Sequence, residues 1–271
     1  MSDPEAASAP AGAAGHAVRA RSFGQIAEDY HRYRPRTPGE LLDWVLPAGV
    51  PTVLDLAAGT GALTELLTNR VPEVIAVEPD PEMRAVLVRA APAARVLAGR
   101  AEAIPLPEAA TDAVCVASAW HWFDQPAATA EIARVLRDGG TFAVLGNSPD
   151  HEVAWVAEMR RPLASGSQPD PRPRDVLTVD LPADAPFTAV ESRQLRWTWS
   201  LPVADVLALL ETYSAVVVAG DERRRDLRRH AVAVLANEPG TRDRDVIELP
   251  MISRAQRARR LPRARSTGDL R

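Results

Sequence analysis

The chain has 271 residues, 46% hydrophobic, 25% charged and only 5% aromatic, an ordinary globular composition with enough apolar material for one large core. No apolar run approaches the roughly 20 residues that a bilayer-spanning helix needs, and the first fifteen residues lack the basic flank and apolar block of a secretory leader. The single cysteine, Cys115, excludes an internal disulfide and a cysteine-built zinc site, so a soluble, cytoplasmic protein is expected.

All 32 basic residues are arginine. A phosphate loop built on lysine and a lysine Schiff base are therefore both excluded. The net charge of −4 is unevenly spread: residues 1–220 carry 18 Arg against 28 acids, and residues 221–271 carry 14 Arg against 8. No aromatic residue interleaves with Arg223, Arg224, Arg225, Arg228 and Arg229, which favours the solvent face of a helix over a nucleic-acid patch.

In chain order, residues 1–21 are rich in Ala, Gly and Pro and are expected to be a disordered arm. Ser22, with Gln25 three residues on, reads as the cap of a helix over Phe23–Tyr33, stopped by Pro35. A second helix carries Leu41, Leu42, Val45 and Leu46, with Pro38 at its first position. Strand and helix then alternate. Thr52–Leu56, Glu73–Val77, Arg95–Ala98, Asp112–Ser118 and Thr141–Gly146 read as strands. Ala62–Asn69, Pro81–Ala90 and Pro126–Leu136 read as helices, and Asp138-Gly139-Gly140 as a turn. Such alternation implies a parallel sheet with helices on both faces. After Asn147 the alternation stops. Residues 160–175 read as a Pro/Arg-rich loop, Val190–Ser200 as a strand, Val203–Thr212 and Asp221–Leu235 as helices, Val246–Leu249 as a short last strand and Arg254–Arg271 as a basic tail.

The informative segment is Val53–Gly61, VLDLAAGTG, where a strand meets a glycine turn that opens a helix. Gly59 and Gly61 let the backbone approach a ligand closely. Dinucleotide enzymes cradle a pyrophosphate at such a turn, but with Gly or Ala at the position that Thr64 holds here. Asp55 just before the turn would repel a pyrophosphate and suits a ligand bearing an ammonium and a sulfonium. Glu78, about twenty residues on, can bond both ribose hydroxyls in either cofactor class. Met83 is placed to pack on an adenine face. The third strand leads into Gly99–Ala103 and the fourth into Ser118-Ala119-Trp120-His121-Trp122-Phe123-Asp124.

Together these segments resemble the class I S-adenosylmethionine-dependent methyltransferases. Asp55–Gly61 matches the motif for the methionine part, with Ala57 where glycine is commoner. Glu78 matches the ribose acid, Ala101-Glu102 the adenine loop, and Asp138-Gly139-Gly140 the turn before the fifth strand, with Asp138 in place of the usual proline. Phe23, Tyr30, Tyr33-Arg34-Pro35, the Trp120–Asp124 segment and the C-terminal Thr198–Ser200 and Thr212–Ser214 are similar to the trans-aconitate methyltransferase-like branch of the type 11 small-molecule enzymes. In that branch the first helix folds over the cofactor.

The resemblance implies a Rossmann-like fold, α/β, with a mostly parallel seven-stranded sheet and an N-terminal helical cap. It implies a methyltransferase domain over 22–250, divided into cap helices (22–50), cofactor core (51–147) and substrate-side part (148–250), followed by a basic tail (251–271). S-adenosyl-L-methionine is the implied cofactor. Tyr30, Arg34, Asp55, Ala57, Gly59, Gly61, Glu78, Pro79, Met83, Ala101, Glu102, Ser118 and Ala119 are its implied contacts. Trp120, Trp122, Trp199 and Tyr213, with Trp197 as an addition, are expected to wall the acceptor pocket. His121 is open between a general base, an acceptor contact and a core-edge histidine. The remaining histidines show no metal spacing, and no metal is expected. The expected partner is a small molecule in specialised metabolism, with no nucleic acid and no membrane; a homo-oligomer stays open. Rival readings are a nicotinamide dehydrogenase on the same sheet and a non-catalytic cofactor-binding protein.

Overall fold

A computed structural model describes residues 27–164, 178–213, 216 and 220–263. The expected arm over 1–21, the Ser22 cap, most of the Pro/Arg-rich loop and the last eight residues lie outside them, as do the side chain of Tyr30 and the whole of Ser214.

Helices α1 (Ala27–Tyr33) and α2 (Gly39–Val45) lead into β1 (Thr52–Leu56). There follow α3 (Ala62–Thr68), β2 (Glu73–Val77), α4 (Pro81–Ala90), β3 (Arg95–Leu97), β4 (Thr111–Ala117), α5 (Gln125–Val135) and β5 (Leu136–Pro149). The remainder is α6 (Ala154–Ala164), β6 (Glu191–Pro202), α7 (Val203–Glu211), α8 (Gly220–Asn237) and β7 (Val246–Arg259). The seven strands form one sheet in the order β3-β2-β1-β4-β5-β7-β6. Strands β1 to β5 pair in parallel, and β7 is reversed between β5 and β6. This is the doubly wound sheet of the class I fold.

Local chemistry sets the helix starts. Asp80 accepts from the N–H groups of Glu82 and Met83, and Pro81 opens α4; Asp124 accepts from Ala127 N–H ahead of Pro126 in α5. The sheet buries both faces. Leu54, Leu56, Val114, Val116 and Val144 face α5 through Ile132 and Val135. Val53, Ala113, Cys115 and Leu145 face α2 and α3 through Leu41, Leu42, Leu63 and Leu67. A third cluster joins α6, α7 and α8 to Ile247, Leu249 and Met251 of β7.

Four expectations change. Pro38 is the N-cap of α2, outside the helix, and Gly39 is its first residue. Asp138-Gly139-Gly140 does not end a turn before a short strand; it is drawn into β5, where the register with β4 jumps between Thr111 and Ala113. Residues 160–164 are helical, α6 running on through Pro162. The largest change concerns the basic tail. Arg254–Arg259 belongs to β7, an interior strand paired with β5 from Arg259 to Met251 and with β6 along twelve residues. Its inward residues from Ala255 onward are only Ala255 and Ala258, so its alternation is faint in the sequence. Arg257 is accommodated by Glu191 and by the ring of Trp44, 4.4 Å from its guanidinium carbon.

Arg263, beyond the sheet, ion-pairs with Glu108 and Asp138 and donates to the carbonyls of Arg134 and Leu136. It therefore closes the C-terminal end of α5. In α8, Arg224, Arg228 and Arg229 pair with Asp221, Glu211 and Asp226, the solvent-face arrangement expected from the sequence.

Candidate active site

In doubly wound sheets ligands gather at the carboxyl ends of the strands where the chain order reverses, and here β1 and β4 lie side by side at that point. The turn after β1 is left-handed at Ala57 (φ 56°), Gly59 (φ 58°) and Gly61 (φ 92°). A Cβ at Gly61 would lie 2.5 Å from Leu87 Cδ1, so this glycine is fixed by both backbone and packing. Ala57 adopts a conformation that costs an L-residue about 1–2 kcal/mol. Ala57→Gly relieves that strain but loosens the unfolded chain by about 0.4–1 kcal/mol. The variant is expected to gain up to about 1.5 kcal/mol, read as a small rise in thermal midpoint; a fall would mean that the Ala57 methyl makes a packing contact worth more than the strain.

Asp55 is fully buried in β1. Its Oδ2 accepts from Thr64 Oγ1 at 2.6 Å, while Oδ1 is shielded and has no partner among the described residues. Burial pushes its pKa up to about 7, against the Thr64 hydroxyl bond, with the Glu78 charge adding to the rise. Thr64, noted in the sequence only as a departure from the dinucleotide pattern, is the residue that orients this carboxylate. Cys115, opposite Asp55 in the sheet, is held far above the usual thiol range by burial and then by Asp55, and is an inert core residue.

Glu78 ends β2 and is itself buried. Its Oε2 accepts from Gly59 N–H at 2.8 Å and its Oε1 from Asp80 N–H at 2.9 Å, so it clamps the first turn to the second. Burial raises its pKa, and the two N–H bonds and Arg84 pull it back. Arg84 donates to the carbonyls of Glu78 and Pro79, which fixes the backbone beside the acid. Met83 packs with Val86 of α4, Ala27 of α1 and Trp122, and a Cβ at Gly59 would stand 3.7 Å from its sulfur.

At the end of β4, Ser118 is left-handed (φ 55°) and donates its N–H to Leu145 O, and a 3₁₀ turn over Trp120–Trp122 follows. His121 is half-buried with its ring 4.4 Å from that of Trp122. Glu102, on the loop after β3 beside the buried Ala101, accepts from Asp124 N–H at 3.1 Å and so ties this loop to the His121 segment. Ala119 is buried at the start of the turn.

The expected pocket wall divides. Trp122 lies with Met83, but Trp120 is 1% exposed and packs on Phe123 and Phe142, so it is a core residue. Trp197 and Trp199 stand on β6, three strands from β4, or roughly 14 Å at the usual strand spacing. Their rings lie 6.2 Å apart against the α6–α8 cluster, and Trp197 donates to Ser253 Oγ. Both pack within that cluster. Tyr213 meets Arg34 instead: the Arg34 and Arg160 guanidinium carbons lie 4.8 and 5.2 Å from its ring centre, and Arg34 also donates to Thr212 O. Sequence reasoning missed Arg160 and also His31, whose Nδ1 is 3.3 Å from Thr60 Oγ1 in the glycine turn. The described residues hold no cluster of His, Cys, Asp and Glu able to bind a metal, and no helix long and apolar enough to cross a membrane.

The sequence profile of the family described as "Methyltransferase domain" matches residues 54–144. An uncharacterized methyltransferase of Mycobacterium tuberculosis is 40% identical over 237 residues, which cover 88% of this chain and 95% of that one. The chain belongs to the class I S-adenosylmethionine-dependent methyltransferases. A demethylmenaquinone methyltransferase of Thermus thermophilus is 38% identical over 121 residues, 42% of this chain and 55% of the relative. Among solved structures, a putative type II methyltransferase from Anaeromyxobacter dehalogenans superposes with a TM-score of 0.62 at 26% identity, covering 85% of this chain and all of that one. This methyltransferase therefore uses S-adenosylmethionine, and the dehydrogenase reading is set aside. The site fits the cofactor on its own terms. Asp55 offers a buried, unpartnered carboxylate oxygen to an ammonium, and Glu78 holds an acid beside the turn where ribose hydroxyls would come.

Proposed function

We propose that the methyl acceptor is a small molecule, bound where β4 opens into the Ser118–Asp124 segment. The observation that carries this reading is the roof over that segment. Trp122 packs with Ala27 of α1 and with Met83 and Val86 of α4, which supports an acceptor site set under helices beside His121 rather than on an open macromolecular surface. Helices α1 and α2 serve as the cap, residues 51–147 as the cofactor core and the part after β5 as the acceptor side. The finer likeness to the trans-aconitate methyltransferase-like branch is supported by the Tyr33-Arg34-Pro35 and Trp120–Asp124 segments, and it favours specialised metabolism.

When bound, the cofactor supplies a methyl group already activated on a sulfonium. The protein must hold donor and acceptor in line and keep water out. Asp55 and Glu78 would hold the donor at its amino and ribose ends. Met83 and Trp122 would cover it. Arg34, Ser118 and Ala119 would complete its surroundings, with His121 toward the acceptor. For a hydroxyl, amine or carbon acid His121 takes the proton; for a carboxylate it orients the group.

Release of S-adenosylhomocysteine across panels of small molecules, peptides and nucleic acids tests the acceptor class: turnover confined to macromolecules overturns the proposal. On the acceptor so found, His121→Ala should leave cofactor affinity within about threefold, under ~1 kcal/mol. Turnover should fall at least tenfold, reaching ~10²–10⁴ if the imidazole takes a proton. His121→Asn keeps a hydrogen-bonding group without a base; recovery of activity would assign an orienting role. Normal turnover in both variants would make His121 structural.

A further inference from the structure

Isolated helices shorter than about 12–15 residues are marginal in water, so the form of α1, described over Ala27–Tyr33, depends on what it docks against. It packs on α7, with Tyr33 against the apolar cluster of α6 to α8, and on α4 and the first two strand–helix turns. Ala27 is buried against Met83 and Val86, Glu28 pairs with Arg89 of α4, and just past the helix Arg36 pairs with Glu65 of α3 at 2.6 Å. The two ion pairs are exposed and contribute little. His31 differs. Its Nδ1 lies 3.3 Å from the hydroxyl of Thr60, which is 1% exposed and set between the left-handed Gly59 and Gly61. No other bond to that hydroxyl is seen among the described residues. A buried hydroxyl needs a partner, so lifting α1 either orphans Thr60 or admits water to the turn.

We propose that His31 is a positioning residue for the cofactor, holding the glycine turn in its binding form by docking α1 on Thr60. This assigns a residue outside the motifs of the cofactor site and rests on the assignment of that site to S-adenosylmethionine. Cofactor affinity and closure of α1 are then one equilibrium.

The test is a double-mutant cycle read by calorimetry with S-adenosylhomocysteine on the full chain: parent, His31→Ala, Thr60→Ala and the double variant. Each single change should weaken binding by about three- to tenfold, and the double should bind no more weakly than the poorer single. His31→Asn, which puts an amide near the place of Nδ1, should recover most of the affinity. In hydrogen exchange at saturating ligand, the α1 amides should gain protection in the parent and in His31→Asn, and less in His31→Ala. Parent-like affinity in His31→Ala, losses that multiply in the double variant, or no recovery with Asn would overturn the proposal. A folded parent that binds no S-adenosylhomocysteine would instead remove the cofactor site on which it stands.

Discussion

A chain cut after Asp245 will fail to fold, although it keeps every motif of the cofactor site. The cut removes β7, whose Ile247, Leu249, Met251 and Ile252 are each at most 1% exposed. At about 1.5–3 kcal/mol for each large apolar side chain, their burial alone is worth roughly 6–12 kcal/mol. That is comparable with the whole stability of a domain, about 5–15 kcal/mol. The cut also strands β6, whose only partner among the described residues is β7, and exposes the inner edge of β5. A chain ended at Arg260 keeps the strand but loses Arg263 and its bonds to Arg134 O, Leu136 O, Asp138 and Glu108. It should fold with a loss of about 1–2 kcal/mol. Circular dichroism and thermal melting of the two chains check both expectations. A cooperative native-like melt from the shorter one would show that the first five strands suffice.

That strand marks where the sequence stopped being legible. Residues 52–146 read almost element for element, because each βα unit carries its own punctuation: an apolar run, a glycine or Asp-Pro cap, a periodic helix. Helix α4 matches the expected Pro81–Ala90 to the residue, its start set by the Asp80 cap and Pro81. Strand β7 has no such local signature. Its C-terminal half alternates alanine with arginine and glutamine, and only long-range pairing with β5 and β6 makes it interior. Pro162 misled in the same way, since a proline reads as a break while α6 tolerates it two residues before its end.

The site divides along the same line. The grouping of Asp55, Glu78, Met83 and the glycines was legible because two successive strand–helix units on neighbouring parallel strands bring their turns side by side. The tryptophans were not. Residue type suggested a wall, but whether a ring lines a pocket or a core depends on which strand carries it and which way it points. Trp120 turns inward onto Phe142, and Trp199 sits at the far edge of the sheet. Contacts between distant segments, such as His31 with Thr60 and Arg34 with Tyr213, leave no trace in local spacing.

Asp55→Asn will make the protein more stable at pH 8 and a poorer binder of cofactor. The buried carboxyl titrates near 7, mainly because burial disfavours its charge, whereas in the unfolded chain an aspartate titrates near 4. Between these values the folded state holds a proton that the unfolded state has released. Stability from this group is therefore complete below about pH 4, falls as pH rises through about 7 and is flat above. Asparagine keeps an oxygen for the Thr64 hydroxyl and carries no charge, so the variant should lack that slope. Its advantage at pH 8 should be on the order of 2–4 kcal/mol, shrinking toward pH 5. Binding runs the other way. The ionised carboxylate is the form that meets an ammonium, so the parent should bind S-adenosylhomocysteine more tightly as pH rises from 6 to 8. The Asn variant should bind at least tenfold more weakly at pH 8, the scale of a lost charge-assisted bond of about 1.5–3 kcal/mol, with a flatter pH profile. Melting curves and calorimetry at pH 5, 6, 7 and 8 separate the two effects. Equal affinity in parent and variant at pH 8 would mean that the cofactor's amino group is held elsewhere, and that the strain of burying Asp55 serves the fold of the turn rather than the ligand.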